Sequence, residues 1–424
     1  MNILVVGSGG REHALCHFIA KSPMCTKLFC APGNAGILDT AICVKINILD
    51  IHKLVSFALS EKVELVVIGP EAPLVAGLTD SMIKAGIQVF GPTKKAAQIE
   101  GSKAFMKGLC SKYGIPSAAY KLFQDPNSAK EFAKLTSIPI VVKANGLAAG
   151  KGVFICENVS EAFDAIDYIM IDRVFGESGS EVIIEEFLEG EEVSFFALVS
   201  GNDTLPLVSV QDHKKALDGD NGPNTGGMGA YSPTSVVNNQ MENLIMEKVI
   251  RPTVNGMVRE NIAYCGVLFA GLMITDRGPQ LIEYNCRFGD PECQTLMARL
   301  ISDPVEMLLA TAQGRLQELK NIWSDETAIT VILATKGYPG SYTRGSEIKG
   351  LVSASRIPGV TIFHSGTCLE KDKILADGGR VLGVTATAKD LFLAQSLAYQ
   401  AAKNISWPEG FYRKDIGWRE LARK

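Results

Sequence analysis

The first hundred residues contain three short apolar runs, and each run ends at a glycine. The runs are Ile3–Val6, Val63–Ile68 and Ile87–Phe90, and they end at Gly7, Gly69 and Gly91. Continuous apolar runs separated by amphipathic segments are typical of buried parallel strands with helices on both faces of the sheet. We therefore predict an α/β domain over residues 1–101. Ligands bind at the carboxyl ends of strands in such sheets, so the glycine turns lie on the predicted binding edge.

The remaining chain is too long for a single core and divides into two further predicted units. Residues 102–324 begin with a helix over Ser102–Tyr113, and residues 325–424 are rich in strands. Predicted strands of the two units are Ile138–Lys143, Val182–Glu186, Val193–Val199, the hairpin Val267–Ile274 with Gln280–Tyr284, and then Ile329–Ala334, Thr361–His364 and Val381–Ala386.

Composition excludes several classes of function. The net charge of −4 argues against a broad nucleic-acid surface. We find no run of about 18 apolar residues that would span a membrane. The ten cysteines include no Cys-x-x-Cys pair and are expected to be reduced thiols. We therefore expect a cytoplasmic protein with neither a nucleic-acid nor a membrane partner.

The turn Gly7–Gly10 precedes a predicted helix over residues 11–21. Backbone N–H groups at the start of a helix can hold an anion, but a tight strand-to-helix turn explains these glycines equally well. A dinucleotide fingerprint requires a third glycine three positions after Gly9. Glu12 stands there, so a nicotinamide site is disfavoured.

A lysine-bearing strand and a glycine-rich loop follow. Lys143 ends a predicted strand, and the loop Gly146–Val153 carries a second lysine, Lys151, among small residues. Small residues let a backbone approach phosphate oxygens closely, so we favour a phosphate lid over a mobile surface hairpin. The acids from Glu185 to Glu192 could accept hydrogen bonds from an adenine amino group or ribose hydroxyls. An acidic solvated turn is the alternative.

Glu283, Asn285 and Arg287 alternate along a predicted strand and would point to one side. A carboxylate and an amide oxygen suit Mg²⁺, and an arginine beside them could neutralise charge on a reacting acyl group. An ion-paired strand would explain the Glu and the Arg but not the Asn. The segment Asp212–Lys214 and the polar loop Asp218–Gly229 suggest a binding loop for an anion, with a disordered excursion as the alternative.

Taken in order, these segments resemble the ATP-grasp ligases, and the chain is similar from end to end to the glycinamide ribonucleotide synthetase family. The segments that carry the resemblance are Gly7–Ala14, Gly69–Leu74, Gly101–Lys103, Gly222–Pro233, Arg287–Cys293, Gly378–Val384 and Tyr412–Trp418. The resemblance implies a Rossmann-like N-terminal domain, an ATP-grasp fold of two α+β lobes with a lid lobe inserted at about 121–187, and a small β-rich C-terminal domain.

It also implies an activity. Glycine would be joined to 5-phosphoribosylamine through glycyl phosphate, giving glycinamide ribonucleotide, ADP and phosphate, with ATP and Mg²⁺ or Mn²⁺ as cofactors. A monomer is expected. Other readings are a different ATP-grasp carboxylate–amine ligase, a dehydrogenase, or a silent nucleotide-binding regulator.

Site residues follow at matched positions. The implied ATP-binding residues are Lys103, Lys143, Gly150, Lys151, Gly152, Glu185, Phe187, Leu188 and Glu192. The implied substrate-binding residues are Gly9, Glu71, Asp212, His213, Lys214, Asn224, Gly226, Arg287 and Asp290, with Arg287 also catalytic. Glu283 and Asn285 would ligate the metal. Asn145 departs from the family pattern, which has Asp there.

Overall fold

The computed structural model describes residues 1–148, 151–320 and 322–423. Its N-terminal unit alternates strands and helices. In chain order the elements are β1 Asn2–Gly7, α1 Gly10–Ile19, β2 Lys27–Pro32, β3 Ile42–Cys43, α2 Ile51–Ser60, β4 Leu65–Ile68, α3 Glu71–Ala76, α4 Leu78–Lys84 and β5 Gln88–Phe90. The strands form a five-stranded parallel sheet in the order β3-β2-β1-β4-β5, which confirms the predicted sheet.

The sequence explains the start of this sheet. Ile3 to Val6 are fully buried because both faces of β1 are covered, so every position in the run is apolar. The turn after β1 requires glycine. Gly7 has φ +135°, and a Cβ there would lie 2.4 Å from Glu12 Cγ.

The central unit begins with two helices and a small sheet. Its elements are α5 Gln98–Gly101, α6 Lys103–Tyr113, β6 Tyr120–Phe123, α7 Pro126–Leu135, β7 Ile140–Ala144, β8 Val153–Cys156, α8 Val159–Ile166 and β9 Val182–Glu186. Ser102 caps α6 by accepting a hydrogen bond from Phe105 N, which is why that helix begins at Lys103. The strands pair antiparallel in the order β6-β9-β7-β8.

A longer antiparallel sheet follows. The elements are β10 Glu191–Ser200, β11 Asp203–Pro206, β12 Gln211–Asp212, β13 Lys215–Leu217, β14 Asn221–Asn224, β15 Gly229–Ser232, α9 Asn239–Ile245, α10 Arg251–Arg259, β16 Cys265–Thr275, β17 Gly278–Asn285, α11 Glu292–Arg299 and α12 Pro304–Ala312. The main sheet has the order β11-β10-β16-β17, and β16 and β17 form the predicted hairpin.

The last part of the chain forms a sheet together with two strands from the central unit. Its elements are β18 Thr327–Thr335, α13 Leu351–Ser355, β19 Val360–His364, β20 Thr367–Glu370, β21 Lys373–Ala376, β22 Arg380–Ala388, α14 Leu391–Asn404, β23 Gly410–Phe411 and α15 Trp418–Leu421. The order is β12-β15-β18-β22-β19, so two strands from residues 211–232 complete the sheet of the C-terminal unit. The boundary at 325 remains a prediction, and this sheet crosses it.

Apolar packing joins the units into a frame for one cavity. A single core cluster contains Leu4 and Ile68 from the first sheet together with Phe195 and Leu268 from β10 and β16. Burial of such side chains contributes about 1.5–3 kcal/mol each. The walls contributed by the first sheet and by the β10–β16 sheet are therefore fixed relative to each other.

Candidate active site

A cavity of about 650 Å³ opens where the small sheet, the β10–β17 sheet and the N-terminal unit meet. Many of the residues singled out from the sequence line it. They are Glu71, Lys103, Lys143, Gly152, Glu185, Phe187, Leu188, Glu192, Asp212, His213, Lys214, Asn224, Gly226, Glu283, Asn285, Arg287 and Asp290. The structure thus brings together side chains that are more than two hundred residues apart in the chain.

Two predicted residues that the structure describes do not line the cavity, and a third cannot be compared. Lys151 is exposed, and its Nζ donates to the carbonyl oxygen of Pro339 at 3.0 Å. Gly9 does not line the cavity, and its N–H donates to Glu12 Oε2 at 2.5 Å. Gly150 lies outside the described residues.

Two lysines share one carboxylate at the end of the cavity formed by the small sheet. Lys143 Nζ donates to Glu185 Oε2 at 2.8 Å, and Lys107 Nζ lies 3.3 Å from Glu185 Oε1. All three side chains are buried. Burial lowers the pKa of Lys107, although the charge of Glu185 opposes the shift. The cluster carries an excess positive charge, which suits a polyphosphate.

Lys103 reaches the same region from the first turn of α6. Its Nζ donates to the carbonyl oxygen of Gly146 at 3.1 Å. Burial lowers the pKa of Lys103, and Glu283 partly offsets this effect. Lys214 lies further along the cavity and is paired with Glu192. Burial would lower the pKa of Lys214, but the carboxylates of Glu192 and Asp212 hold it above its ordinary value.

Asn145 ties the glycine-rich loop to the start of α6. Its Oδ1 accepts from Ala104 N at 2.8 Å, and its Nδ2 donates to Glu181 Oε2 at 2.6 Å. Its backbone carbonyl accepts from Lys103 N at 2.9 Å. An Asp at this position would face the Glu181 carboxylate without a proton to donate. The Asn145 amide is therefore better suited than a carboxylate to hydrogen-bond Glu181 in this chain.

Glu283 and Asn285 form the candidate metal site at the end of β17. Burial would raise the pKa of Glu283, but the positive charges of Lys214, Lys103 and Lys143 outweigh it and hold the pKa below its ordinary value. An ionised carboxylate and an amide oxygen fit Mg²⁺ or Mn²⁺. Within the described ranges no group of three or more His, Cys, Asp or Glu residues is placed to bind a metal, so phosphate oxygens and water would complete the shell.

Arg287 lies beyond the end of β17, and carboxylates rather than the strand pleat orient it. Its Nε donates to Glu71 Oε2 at 3.2 Å, and its Nη2 donates to Glu100 Oε1 at 2.9 Å. Burial would lower the pKa of Arg287, but these carboxylates raise it. The side chain is therefore a fixed positive charge beside the metal-site residues.

The start of α1 is capped by the protein's own carboxylates. Gly9 N donates to Glu12, and Arg11 N donates to Asp290 Oδ2 at 3.1 Å. Burial would raise the pKa of Asp290, but Arg380 and Arg11 lower it below the ordinary value. These contacts favour the tight-turn interpretation of the glycines over an anion site at this helix start.

Several cavity residues were not assigned from the sequence. They are Arg11, Glu100, Glu292 and Arg380, with Lys107 behind the wall. Arg11, Glu292 and Arg380 stand inside segments that carry the family resemblance, and Lys107 follows Lys103 by one helical turn. Their partners are distant in the chain, so the family segments were the one sequence signal for Arg11, Glu292 and Arg380, and that signal does not say which residues face the cavity.

Comparisons with known proteins agree with this architecture. Three family models match: the phosphoribosylglycinamide synthetase N domain over residues 1–100, its ATP-grasp (A) domain over 101–293 and its C domain over 328–419. The chain is 54% identical over 421 residues to "Phosphoribosylamine--glycine ligase, chloroplastic" of Arabidopsis thaliana, covering 98% of this chain and 79% of the relative. It is 52% identical over 424 residues to the phosphoribosylamine–glycine ligase of Brucella melitensis, covering 100% of this chain and 99% of the relative.

Solved structures show the same fold. The phosphoribosylamine–glycine ligase of Thermotoga maritima superposes with a TM-score of 0.85 at 32% identity, covering 98% of this chain and 100% of that one. A biotin carboxylase from Campylobacter jejuni superposes with a TM-score of 0.75 at 15% identity, covering 100% and 98%, which is a likeness of fold alone.

The fold is that of the ATP-grasp proteins, with a parallel N-terminal sheet and antiparallel sheets elsewhere. Within that class the chain belongs to the phosphoribosylglycinamide synthetase family. The resemblance read from the sequence motifs is therefore confirmed. No helix in the described ranges is long and apolar enough to cross a membrane.

Proposed function

We propose that the chain joins glycine to 5-phosphoribosylamine at the expense of ATP, giving glycinamide ribonucleotide, ADP and phosphate. This is the second step of de novo purine biosynthesis. One observation carries the proposal. A single cavity combines an ionised carboxylate–amide pair, several lysines and a doubly paired arginine in a chain 54% and 52% identical to relatives named phosphoribosylamine–glycine ligase.

The nucleotide would lie at the lysine-rich end. Lys103 and Lys143 would hold its phosphates, with Gly150, Lys151 and Gly152 in the lid loop above them. The adenosine would contact Glu185, Phe187, Leu188 and Glu192, of which Leu188 would act through its backbone. Of those residues that the structure describes, all but Lys151 line the cavity.

Glu283 and Asn285 would hold Mg²⁺ or Mn²⁺, which when bound would neutralise the charge on the nucleotide phosphates. The ionised state of Glu283, maintained by three neighbouring lysines, supports this assignment. The lysines would also neutralise part of the phosphate charge. Two protein ligands are therefore enough for a metal ion that phosphate oxygens also bind.

The reaction needs two transfers. A glycine carboxylate oxygen attacks the γ-phosphorus of ATP, and the bond from phosphorus to the ADP oxygen breaks. The amine of phosphoribosylamine then attacks the carbonyl carbon of glycyl phosphate, releasing phosphate and a proton. Arg287, held by Glu71 and Glu100, would stabilise the charge on the acyl phosphate and on the tetrahedral intermediate. Acyl phosphates hydrolyse readily, so closure of the lid would serve to exclude water.

Phosphoribosylamine would occupy the end of the cavity opposite the nucleotide. Glu71 and Asp290 would supply charged groups there, and Asn224 and Gly226 belong to the polar loop that also lines the cavity. Asp212 and Lys214 would border the same substrate nearer the middle of the cavity, where Lys214 pairs with Glu192. His213 accepts a hydrogen bond from Gly417 N at 3.1 Å, and burial lowers its pKa to about 4. A neutral His213 would help to form the wall of the cavity and would not supply a positive charge to the substrate. Gly9 would act indirectly, through the capped turn.

A substrate-omission assay tests the function. ADP release is measured with ATP, Mg²⁺, glycine and freshly generated phosphoribosylamine, leaving out each component in turn. We expect release to require glycine and to reach its full rate only with phosphoribosylamine. Faster release with D-alanine or bicarbonate than with glycine would contradict the proposal and favour another ATP-grasp carboxylate–amine ligase.

We also infer a cytoplasmic monomer. All ten cysteines are free thiols, as suits a reducing compartment. Sedimentation equilibrium at micromolar concentration tests the oligomeric state, and a mass near 45.6 kDa is the expected result.

A further inference from the structure

Lys107 has no part in the proposed function, yet it is among the most deeply buried charges of the chain. Its side chain is 0% exposed and does not line the cavity. Its Nζ lies 3.3 Å from Glu185 Oε1 and donates to the carbonyl oxygen of Ala118 at 3.1 Å. Lys107 therefore touches two residues of the cavity wall from behind.

Lys143 approaches the same carboxylate from the cavity side. Its Nζ donates to Glu185 Oε2 at 2.8 Å, and its side chain lines the cavity. Lys143 can therefore leave Glu185 for a phosphate oxygen, whereas Lys107 is walled off from the cavity. Once a phosphate attracts Lys143, Lys107 stays in contact with the Glu185 carboxylate from behind the wall.

With Lys143 drawn to a phosphate, the contact with Lys107 is what holds the Glu185 carboxylate in its direction. That direction decides which hydrogen bonds Glu185 can accept from a ligand. Carboxylate oxygens accept hydrogen bonds, which suits the exocyclic amino group of adenine. Guanine carries a carbonyl oxygen at the equivalent position, so a carboxylate oxygen aimed at that position would repel it.

We propose that Lys107 is a positioning residue that keeps the Glu185 carboxylate aimed into the cavity while Lys143 binds phosphate, and that it thereby sets the preference for adenine over guanine nucleotides. This inference rests on the proposed nucleotide site. It adds a residue outside the cavity to the groups that determine nucleotide selectivity.

The test compares the wild type, Lys107→Met, Glu185→Gln and the double variant. Equilibrium binding of ATP and GTP is measured for each protein, and steady-state kcat and KM are measured with both nucleotides. Lys107→Met is expected to weaken ATP binding on the order of tenfold and to reduce the ATP-over-GTP preference by a similar factor, with kcat at saturating ATP little changed. Because Lys107 acts through Glu185, its effect should largely disappear in the Glu185→Gln background.

Lys112→Met on the same helix is the matched control, since Lys112 is exposed and pairs with Glu260 instead. Thermal unfolding reports whether each variant folds, and the double variant removes both charges if Lys107→Met alone is unstable. A loss of kcat at unchanged ATP-over-GTP preference, or additive effects of the two substitutions, would overturn the inference. Failure of the ligase proposal would show separately, as absence of glycine-dependent ADP release in a wild type that still binds ATP.

Discussion

The two ends of the cavity hold their positive charges in opposite ways. At the end where we propose that the nucleotide binds, which we call the nucleotide end, Lys107 and Lys143 share the single carboxylate of Glu185, and Lys103 contacts a backbone carbonyl. At the other end, Arg287 alone is paired with two carboxylates, those of Glu71 and Glu100. Cations are in excess at the first end and are outnumbered by carboxylates around Arg287.

This difference separates two tasks. Lysines with few partners can change contacts when a polyphosphate arrives. An arginine held on two sides cannot move, so it can only present a fixed charge to a reacting group. Fixed charges that need no reorganisation are the ones that stabilise transition states most effectively. The four changes that follow probe each end in turn.

The largest expected effect is at Arg287. Arg287→Ala should lower kcat by about 10²–10³, because it removes a preorganised charge worth about 2.7–4 kcal/mol in the transition state. ATP affinity should change much less, because the lysines at the other end remain. Turnover and equilibrium ATP binding are measured side by side, with Arg315→Ala as control, since Arg315 is partly exposed and pairs with Glu318 instead. An equal loss in kcat and in ATP affinity would show that the two ends are not separate.

Glu283 lies between the two ends. Glu283→Gln should raise the Mg²⁺ concentration needed for half-maximal activity by about 10–100-fold, because an ionised ligand becomes neutral. Titration of activity with Mg²⁺ at saturating ATP measures this. Exposed Glu247→Gln provides the control. An unchanged Mg²⁺ requirement would place the metal elsewhere.

Replacement of Asp290 tests how strongly its contacts with Arg11 and Arg380 stabilise the end of the cavity that contains Arg287. Asp290→Asn should lower the free energy of unfolding at pH 7 by roughly 1–2 kcal/mol, because the carboxylate caps α1 and faces Arg11 and Arg380. The folded-state pKa of Asp290 is depressed, so its contribution is present above the unfolded pKa and is lost as the pH falls through the folded value.

Urea unfolding at pH 7 and below pH 4 measures this dependence. The difference between wild type and Asp290→Asn should shrink toward zero at the acid end. Asp372→Asn, on an exposed turn, is the control. A difference that stays constant with pH would exclude the charge of Asp290 as its source.

The smallest expected effect is at Asn145, in the loop of the nucleotide end. Asn145→Asp should raise KM for ATP only a few-fold, because a carboxylate facing Glu181 weakens one hydrogen bond by about 1 kcal/mol. Adding Glu181→Gln should restore the wild-type value, since the amide can donate again. Exposed Asn239→Asp serves as control. Absence of rescue would show that Glu181 is not the source of the effect.

Local patterns were sufficient for the secondary structure that frames the cavity. The apolar run Ile3–Val6 and the hairpin over β16 and β17 were recognisable because burial and alternation act on neighbouring residues. Family motifs gave the order of the lysines and of Glu283, Asn285 and Arg287. The assigned roles of these residues stay predictions until the variants are measured.

The long-range contacts of the site could not be predicted from the sequence. Glu100 pairs with Arg287 across 187 positions, and Arg380 contacts Asp290 across 90. No periodicity links residues so distant, since only the folded chain brings them together. Glu283, Asn285 and Arg287 all line the cavity, although β17 ends at Asn285 and the carboxylates of Glu71 and Glu100 orient Arg287 beyond it.

The sheet that β12 and β15 share with β18 has a consequence for dissecting this molecule. A fragment ending near residue 325 would lose the neighbour of β15 and expose an unpaired strand edge, which is a template for aggregation. In the same fragment β12, just before His213 and Lys214, would be held only through β15, whose other neighbour is missing. Gene splitting or grafting at this point would therefore yield inactive, poorly behaved halves, whereas exposed loop tips elsewhere are better places to cut.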